Sequence, residues 1–330
     1  MLFHARPDHF AQVWAEVRKA RPARLFLYQD GPRPGTNDME GIMACRQLVA
    51  DENINWECDV HRLYQERNYG CDPSGYMSQQ WAFSQTDRCI VLEDDVVPSQ
   101  TFFTFCREML DRYADDPRVA LIAGFNHEEI TPAPYDYLFT TVMPIWGWAS
   151  WRRVVCQWDE HYSVVDDPFN MHQLEALAES RRNGWGEMLR KMRHHRQAGK
   201  PVYETLLWST ITLSSGLTIV PTRNMISNSG VSEESAHFRN SLKTLPKAMQ
   251  RLMTMKSHDV DFPLRHPKYV IENVEYKERV FRIMAWQHPM VKMARTVEEL
   301  LRNLRYGSLT NIWAAVKHRI SKATGRHDYM

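Results

Sequence analysis

The sequence predicts an α/β protein in which helices flank a mostly parallel sheet and a basic helical extension follows. Strand-like and helix-like segments alternate through residue 125, which is typical of βαβ units. The continuous apolar run at residues 90–92 has the pattern of a strand that is buried on both faces. Residues 277–326 carry eleven Lys or Arg against three Glu, a net charge of +8, on amphipathic helical sequence.

The first half of the chain gives the clearest elements. Residues 1–5 have the pattern of the end of a first strand, and Pro7 suits the first turn of a helix. Ser99 is a good helix N-cap, and apolar residues follow it at helical spacing. Further strands are predicted at residues 24–28, 56–63, 90–92 and 119–123, and further helices after residue 36 and over residues 74–84.

The second half is less regular. An extended segment at residues 135–143 precedes a tryptophan-rich stretch, and polar and basic helical sequence runs from about residue 171 to 197. Residues 203–213 predict a buried helix, and residues 217–220 predict a last strand.

Composition limits the function classes. The chain has 330 residues, of which 43% are hydrophobic, so it can bury one large core. A formal charge of +1 gives no basis for a nucleic-acid partner. The six cysteines form no CxxC pair, so we expect buried thiols in a reducing compartment. The chain has neither a membrane-length apolar run nor a signal-peptide pattern at its start, which predicts a cytoplasmic protein.

Three consecutive carboxylates, Glu93, Asp94 and Asp95, end the apolar run at residues 90–92. In an open α/β sheet, ligands bind at the carboxyl ends of the strands. Adjacent carboxylates repel one another, so this site is expected to hold a cation, and oxygen donors together with substrate phosphates suit Mg²⁺ or Mn²⁺. A solvated acidic turn is the alternative that the local sequence leaves open.

The strand, Glu-Asp-Asp, a short apolar pair, Pro98 and a helix resemble the metal-binding motif of nucleotide-sugar-dependent glycosyltransferases with the GT-A fold. The resemblance is greatest to bacterial surface-polysaccharide transferases, some of them called hemolysin-like, and to the animal N-acetylglucosaminyltransferases that begin N-glycan branching. Four further stretches match in order, namely residues 4–7, 28–31, 146–153 and 221–230 with Ala236 and His237. The resemblance implies a GT-A domain over residues 1–240, with a nucleotide-sugar half to about 125 and an acceptor half over 126–240. An extension then covers residues 241–330.

The resemblance also implies roles for particular residues. Asp95 is expected to bind Mn²⁺ or Mg²⁺ directly, with His237 completing the metal shell. The residues implied to bind the nucleotide-sugar, a UDP-sugar in most of the family, are Arg6, Asp30, Arg67, Asn68, Gly70, Glu93 and Asp94. Two of them have simpler explanations, because Asp30 before Gly31 is also a common turn residue and Arg6 is also a solvated charge at a helix start.

Glu204 is the candidate general base of an inverting transfer. Bacterial relatives carry an Asp flanked by aromatic residues where this chain has Tyr203-Glu204-Thr205. Burial at the start of an apolar helix would raise the pKa of this carboxyl towards a useful value. Its alternative role is to satisfy the helix dipole, and Asp159 is the reserve candidate.

Trp146 and Trp148 are predicted to bind the sugar acceptor by stacking, since both follow Pro144 and bracket Gly147. Core packing is the alternative for at least two of the three tryptophans Trp146, Trp148 and Trp151. The acceptor implied by the resemblance is a glycan or a lipid-linked saccharide of a bacterial surface.

The basic C-terminal region leaves two interpretations open. Such a segment can lie on an anionic membrane surface, or it can pack on the main domain with a solvated basic face. Two other function classes also remain. A sugar nucleotidyltransferase would open with a Gly-rich loop, whereas residues 1–20 contain no Gly. A non-catalytic glycan-binding protein would have lost the carboxylates that are intact here.

Overall fold

The computed structural model describes residues 1–181, 185–230 and 242–306. The chain forms two compact units, one of Met1–Gly230 with Met255–Val280 and one of Val231–Thr254 with Phe281–Met330. The predicted domain boundary at residue 240 stays a prediction.

The elements alternate as the sequence predicts. The strands are β1 (Leu2–Phe3), β2 (Arg24–Gln29), β3 (Asp59–Tyr64), β4 (Arg88–Val91), β5 (Val96–Pro98), β6 (Val119–Ala123), β7 (Tyr137–Thr140), β8 (Trp148–Trp151), β9 (Leu217–Pro221) and β10 (Ile226–Asn228). The helices are α1 (Pro7–Ala20), α2 (Asp38–Leu48), α3 (Cys71–Gln85), α4 (Gln100–Arg112), α5 (Arg152–Val155), α6 (Pro168–Arg181), α7 (Trp185–Ala198), α8 (Tyr203–Leu213), α9 (Lys247–Met253), α10 (Val274–Met284) and α11 (Pro289–Tyr306).

Strands β1, β2 and β3 form a parallel sheet in that order. Leu2 connects this sheet to the end of β4, because its amide donates to the Leu92 carbonyl at 2.9 Å and it forms a parallel bridge with Glu93. The predicted α/β class, with a parallel sheet and flanking helices, is therefore confirmed.

A second sheet has the order β4-β8-β6-β9-β7. Only β6 and β9 run parallel in it, while β8 and β7 run antiparallel to their neighbours. The tryptophan-rich stretch supplies β8, which lies between β4 and β6. All four residues of β8 are buried, so this short central strand shows no alternation in the sequence.

The predicted helical faces form the core around the sheets. The residues of α4 that lie at helical spacing (Phe102, Phe105, Cys106, Met109 and Leu110) are buried, and α8 spans the predicted residues. Ser99 occupies the N-cap position of α4, although its side chain makes no capping hydrogen bond.

The segment 255–280 returns to the first unit because it extends the edge of the second sheet. Glu272 forms a parallel bridge with Phe139 in β7, and the Asn273 amide donates to the Phe139 carbonyl at 2.7 Å. The Arg265 guanidinium pairs with Asp136 at 2.6 Å just before β7. Within the described ranges, the structure has no helix of the length and apolar character needed to cross a membrane.

Candidate active site

The loops after β1, β2, β3 and β4 meet at one edge of the sheet. These strands are neighbours in the order β3-β2-β1-β4 and run parallel, so their carboxyl ends share an edge. His4 Nε2 lies 3.0 Å from the Gly31 carbonyl oxygen, which also accepts a hydrogen bond from Asn68 at 2.9 Å. The His4 amide donates to Asp94 Oδ2 at 3.3 Å. Four separate parts of the sequence thus form one connected group.

Arg6 lies across two carboxylates of the acidic triplet. Its Nη2 donates to Asp94 Oδ1, and to Asp95 Oδ2 at 3.1 Å. Burial lowers the pKa of Arg6, but the attraction of Asp94 and Asp95 is larger in sum and raises this pKa above its usual value. Burial raises the pKa of Asp94, and the pairing with Arg6 offsets only part of this rise. Asp94 is 4% exposed, and its carboxylate accepts hydrogen bonds from the Arg6 guanidinium and the His4 amide.

Asp95 is the more accessible of the two carboxylates that pair with Arg6. The exposed fraction of its side chain is 16%, against 5% for Asp94. The Ser229 amide donates to the Asp95 carbonyl at 2.8 Å, which continues the pairing of β10 with β5. A Cβ atom at Gly230 would lie 2.1 Å from Asp95 Oδ2, so only glycine allows the main chain to approach this carboxylate so closely.

Glu93 points to a different neighbour, the first residue of α8. The Tyr203 hydroxyl donates to Glu93 Oε1 at 2.7 Å. Burial, followed by the charge of Asp95, raises the pKa of Glu93 to about 8. The Tyr203 ring packs on α3 at Gly75, where a Cβ atom would lie 2.5 Å from the ring. These contacts fix the amino-terminal end of α8 beside the triplet.

Glu204 therefore lies next to the acidic triplet. Its Oε2 atom is buried and has no hydrogen-bond partner in the described part of the chain. Burial raises the pKa of Glu204 to about 7, although its own main-chain amide and the cations of Lys191 and Lys200 lower it. A half-buried carboxylate with a buried, unused oxygen and a pKa near neutrality is suited to accept a proton. The reserve candidate, Asp159, is less suited, because it accepts hydrogen bonds from Ser163 Oγ at 2.7 Å and from the His161 amide at 3.1 Å.

Asp30 holds the loop that follows β3. Its Oδ1 accepts from the amides of Gly31 and Tyr69, both at 2.9 Å. Its Oδ2 accepts from the Asn68 side chain at 2.9 Å and from the Gly70 amide at 3.0 Å. These bonds occupy both carboxylate oxygens, so the structure gives Asp30 a role in loop geometry. Direct contact of Asp30 with a nucleoside stays a prediction.

The loop itself has a defined conformation. Gly70 has φ = 86° and occupies the N-cap position of α3, a backbone geometry that favours glycine. The Arg67 guanidinium lies over the Tyr69 ring at 4.5 Å. A Cβ atom at Gly31 would lie 2.5 Å from the Arg67 main chain. The two loops can therefore approach each other this closely because Gly31 has no Cβ atom. The predicted loop residues Arg67, Asn68 and Gly70 thus lie at the same edge as the triplet.

The two candidate acceptor tryptophans differ in exposure. Trp148 is 1% exposed and stacks on Phe83 with the ring centroids 6.3 Å apart, so its predicted stacking on an acceptor is wrong. Trp146 is only partly buried and meets Phe125 edge to face at 4.8 Å. Trp148 pairs with Val91 at the end of β4, which places the preceding Trp146 near the edge that carries the triplet.

His237 lies outside the described residues. In the described part of the chain, no three His, Cys, Asp or Glu side chains are arranged to hold a metal ion. The donor set nevertheless fits a hard cation that takes most of its ligands from a substrate and water, since Mg²⁺ often uses only one or two protein carboxylates. Arg6 neutralises only part of the triplet, and Asp95 is the more accessible of the two carboxylates that pair with Arg6.

Sequence reasoning did not identify Tyr203 and Gly230 as site residues. Tyr203 appeared only as a neighbour of Glu204, and its long-range contact with Glu93 has no local signal. Gly230 ends the Ser227-Asn228-Ser229-Gly230 stretch, where a glycine after a short strand was the available signal.

Comparison with known proteins adds little to this geometry. No protein-family model matches the chain, and no curated protein matches it. Among solved structures, a mannosyltransferase from Pyrobaculum calidifontis, in complex with GDP-Man and Mn²⁺, is similar to this chain. The similarity covers 99% of this chain and 80% of that protein's chain, with 10% sequence identity and a TM-score of 0.42. At this identity and TM-score, the similarity carries no argument about the fold or the activity of this chain.

Proposed function

We propose that this chain is a metal-dependent glycosyltransferase that moves a sugar from a nucleoside diphosphate-sugar to a hydroxyl group of a glycan or lipid-linked saccharide. The observation that carries the proposal is the junction of α8 with the acidic triplet. It combines a partly exposed carboxylate at Asp95, a cation at Arg6 and, at Glu204, a half-buried carboxylate with a buried, unused oxygen.

The donor is proposed to bind along the edge formed by the four loops. Arg6 is a planar cation that is suited to diphosphate oxygens or to stacking on a base. Asp94 positions Arg6, since it accepts two of the guanidinium hydrogen bonds. The loop at Arg67, Asn68 and Gly70, which Asp30 holds, would contact the nucleoside, and UDP is the nucleotide that the family resemblance favours.

Asp95, with Glu93 beside it and His237 as a further predicted ligand, would hold Mg²⁺ or Mn²⁺. A bound ion of this kind would neutralise the charge that develops on the diphosphate leaving group. Arg6 would contribute to the same neutralisation, because Asp94 and Asp95 hold its guanidinium at the edge where the diphosphate is proposed to bind.

Glu204 is proposed to take the proton from the attacking hydroxyl group. An inverting transfer needs this base on the face of the sugar opposite the nucleotide. Trp146, which is partly exposed, is the proposed stacking surface for the acceptor. A cytoplasmic role in bacterial surface polysaccharide synthesis is the setting that the family resemblance favours.

The test is the release of nucleoside diphosphate from a panel of sugar nucleotides, with Mn²⁺ and with a chelator. We expect Mn²⁺-dependent release, and a rise in melting temperature when donor and Mn²⁺ are added together, because a ligand that binds only the folded state stabilises it. Asp95→Ala should abolish this thermal shift. Asp51→Ala, which changes an aspartate that is 88% exposed, is the matched control and should retain the shift.

The assay also separates the two alternatives. A nucleotidyltransferase would instead form pyrophosphate from a nucleoside triphosphate and a sugar phosphate. A glycan-binding protein without activity would bind saccharides but show no metal-dependent nucleotide binding. If no donor is hydrolysed or transferred and none binds with Mn²⁺, the proposed function is wrong.

A further inference from the structure

Helix α11 (Pro289–Tyr306) presents an apolar stripe to solvent. Its members are Met290, Met293, Val297, Leu300, Leu301 and Leu304, which are 78%, 64%, 52%, 39%, 60% and 60% exposed. At about 100° per residue, these six side chains fall within an arc of about 100° on the helix surface. Single exposed apolar residues are normal on a protein surface, but a continuous stripe of six marks an interaction site.

The polar side of the same helix contacts other described residues of the second compact unit, to which α11 belongs. Arg302 donates to the Lys243 carbonyl at 3.3 Å, and Arg295 donates to the Arg282 carbonyl at 3.2 Å. Glu298 accepts from the Lys247 amide at 3.0 Å and pairs with Arg302 at 2.9 Å. Asn303 is 5% exposed on this side.

This orientation is the reverse of an ordinary surface helix. In such a helix the apolar side packs inward and the charged side meets water. Here hydrogen bonds and ion pairs hold the polar side, so the apolar stripe is left for a partner outside the described residues of this unit.

The charge around the stripe indicates the kind of partner. At about 100° per residue, the exposed Arg305 lies about 40° beyond one edge of the stripe, and the exposed Lys292 lies about 80° beyond the other edge near the start of the helix. The acidic residue nearest to the stripe, Glu298, is already paired with Arg302. In the sequence, residues 277–326 carry a net charge of +8. An apolar stripe on a helix that also exposes cations is complementary to a bilayer surface that contains anionic lipids.

We propose that α11 lies in the plane of an anionic membrane surface, with the stripe from Met290 to Leu304 inserted at the boundary between headgroups and acyl chains. This inference does not depend on the proposed transferase activity, since it concerns a helix outside the candidate active site. It would place the enzyme near a membrane-bound acceptor if both proposals hold.

The experiment measures binding of the full chain to vesicles of phosphatidylcholine with and without added phosphatidylglycerol. We expect binding that needs the anionic lipid and weakens with added salt, because salt screens the attraction of Lys292 and Arg305 to the surface. Replacing both cations by glutamine should weaken binding by about fivefold for each charge removed. Combining Leu300→Gln, Leu301→Gln and Leu304→Gln should weaken it by at least about tenfold.

The matched control changes three exposed apolar residues of the first unit, Phe169→Gln, Tyr269→Gln and Ile271→Gln, which are 71%, 62% and 67% exposed. This control should bind like the unmodified chain. Hydrogen exchange of residues 289–306 in the unmodified chain gives a second measurement, which does not depend on the folding of any variant. We expect protection there only when anionic vesicles are present.

Three results would overturn the proposal. The first is absence of binding and of protection with anionic vesicles at low salt. The second is equal loss of binding in the stripe variant and the control variant. The third is an oligomer that the stripe variant converts to a monomer, which would assign the stripe to a second copy of the chain. Failure of sugar-nucleotide turnover would leave the vesicle result unaffected.

Discussion

Replacing Glu204 by glutamine tests the proposed base most directly. The change keeps the size of a side chain whose Oε2 is buried without a partner, and removes only its ability to accept a proton. Positioned general bases contribute about 10²-fold to 10⁴-fold to a rate, so kcat should fall by that amount. Donor binding should persist, because the contacts of Arg6 and Asp95 at the triplet do not involve Glu204.

The pH dependence follows from the same group. Burial raises the pKa of Glu204 from 4.5 to about 7, so the carboxylate form that acts as a base is formed only as the pH rises through 7. We therefore expect kcat to rise with pH between about 6 and 8 in the unmodified enzyme, because deprotonation follows this pKa. The residual activity of Glu204→Gln should lack that rise.

Stability should change in the opposite direction. A carboxyl with a raised pKa in the folded state stabilises the protein below its unfolded pKa, and this contribution is lost as the pH rises from 4.5 through about 7. At about 1.4 kcal/mol per pKa unit, ionised Glu204 destabilises the fold by up to about 3 kcal/mol above pH 8. Glu204→Gln should therefore gain stability relative to the unmodified chain between pH 5 and pH 8.

The assays are single-turnover or steady-state transfer over this pH range and denaturant unfolding at both ends of it. Glu187→Gln is the matched control, since Glu187 is an exposed glutamate on α7. The reasoning fails if Glu204→Gln keeps activity within about twofold at pH 8, since a base contributes far more than that. It also fails if the rate rises through pH 4.5 instead of pH 7.

Three further predictions concern the frame of the site. Gly230→Ala should abolish metal-dependent donor binding in a thermal-shift assay, because the added Cβ would lie 2.1 Å from Asp95 Oδ2. The control Gly186→Ala adds a Cβ that meets nothing within 4 Å, so it should keep donor binding. Normal binding by the Gly230 variant would contradict the close approach of Gly230 to Asp95. Asp30→Ala should destabilise the protein by about 1–3 kcal/mol in chemical unfolding, since it removes the acceptor for the amides of Tyr69 and Gly70. Unchanged stability would show that the loop does not need this carboxylate. Trp148→Ala should lose about 3–5 kcal/mol of unfolding free energy, because it removes a buried ring. Trp146→Ala should lose less stability and should weaken acceptor binding. Equal destabilisation by the two variants would mean that both rings pack in the core.

The sequence by itself determined the alternation of elements and the position of the acidic triplet. Apolar periodicity, turn residues and the abrupt change from a buried strand to three carboxylates are local signals, and parallel strands bring their carboxyl ends to one edge. The triplet could therefore be assigned to this edge from local sequence, whereas Arg6, Asp30 and the loop at Asn68 were assigned to the nucleotide mainly by the family resemblance.

The tertiary structure decided which contacts each of those residues makes. Asp30 and Asp94 look like ligand-binding carboxylates in the sequence, yet their oxygens are occupied by loop donors and by Arg6. Trp148 looks like Trp146 in the sequence, yet β8 inserts between β4 and β6, which buries Trp148 and leaves Trp146 partly exposed. Hydrogen-bond partners and burial depend on contacts between distant parts of the chain, which residue spacing does not encode.

The same distinction holds for α8 and α11. Their helical periodicity is local, and both helices were expected from it. The contact between Tyr203 and Glu93, 110 positions apart, and the outward direction of the α11 stripe depend on tertiary packing. An amphipathic pattern states that a helix has an apolar side, but only the arrangement of its neighbours determines whether that side faces the core or solvent.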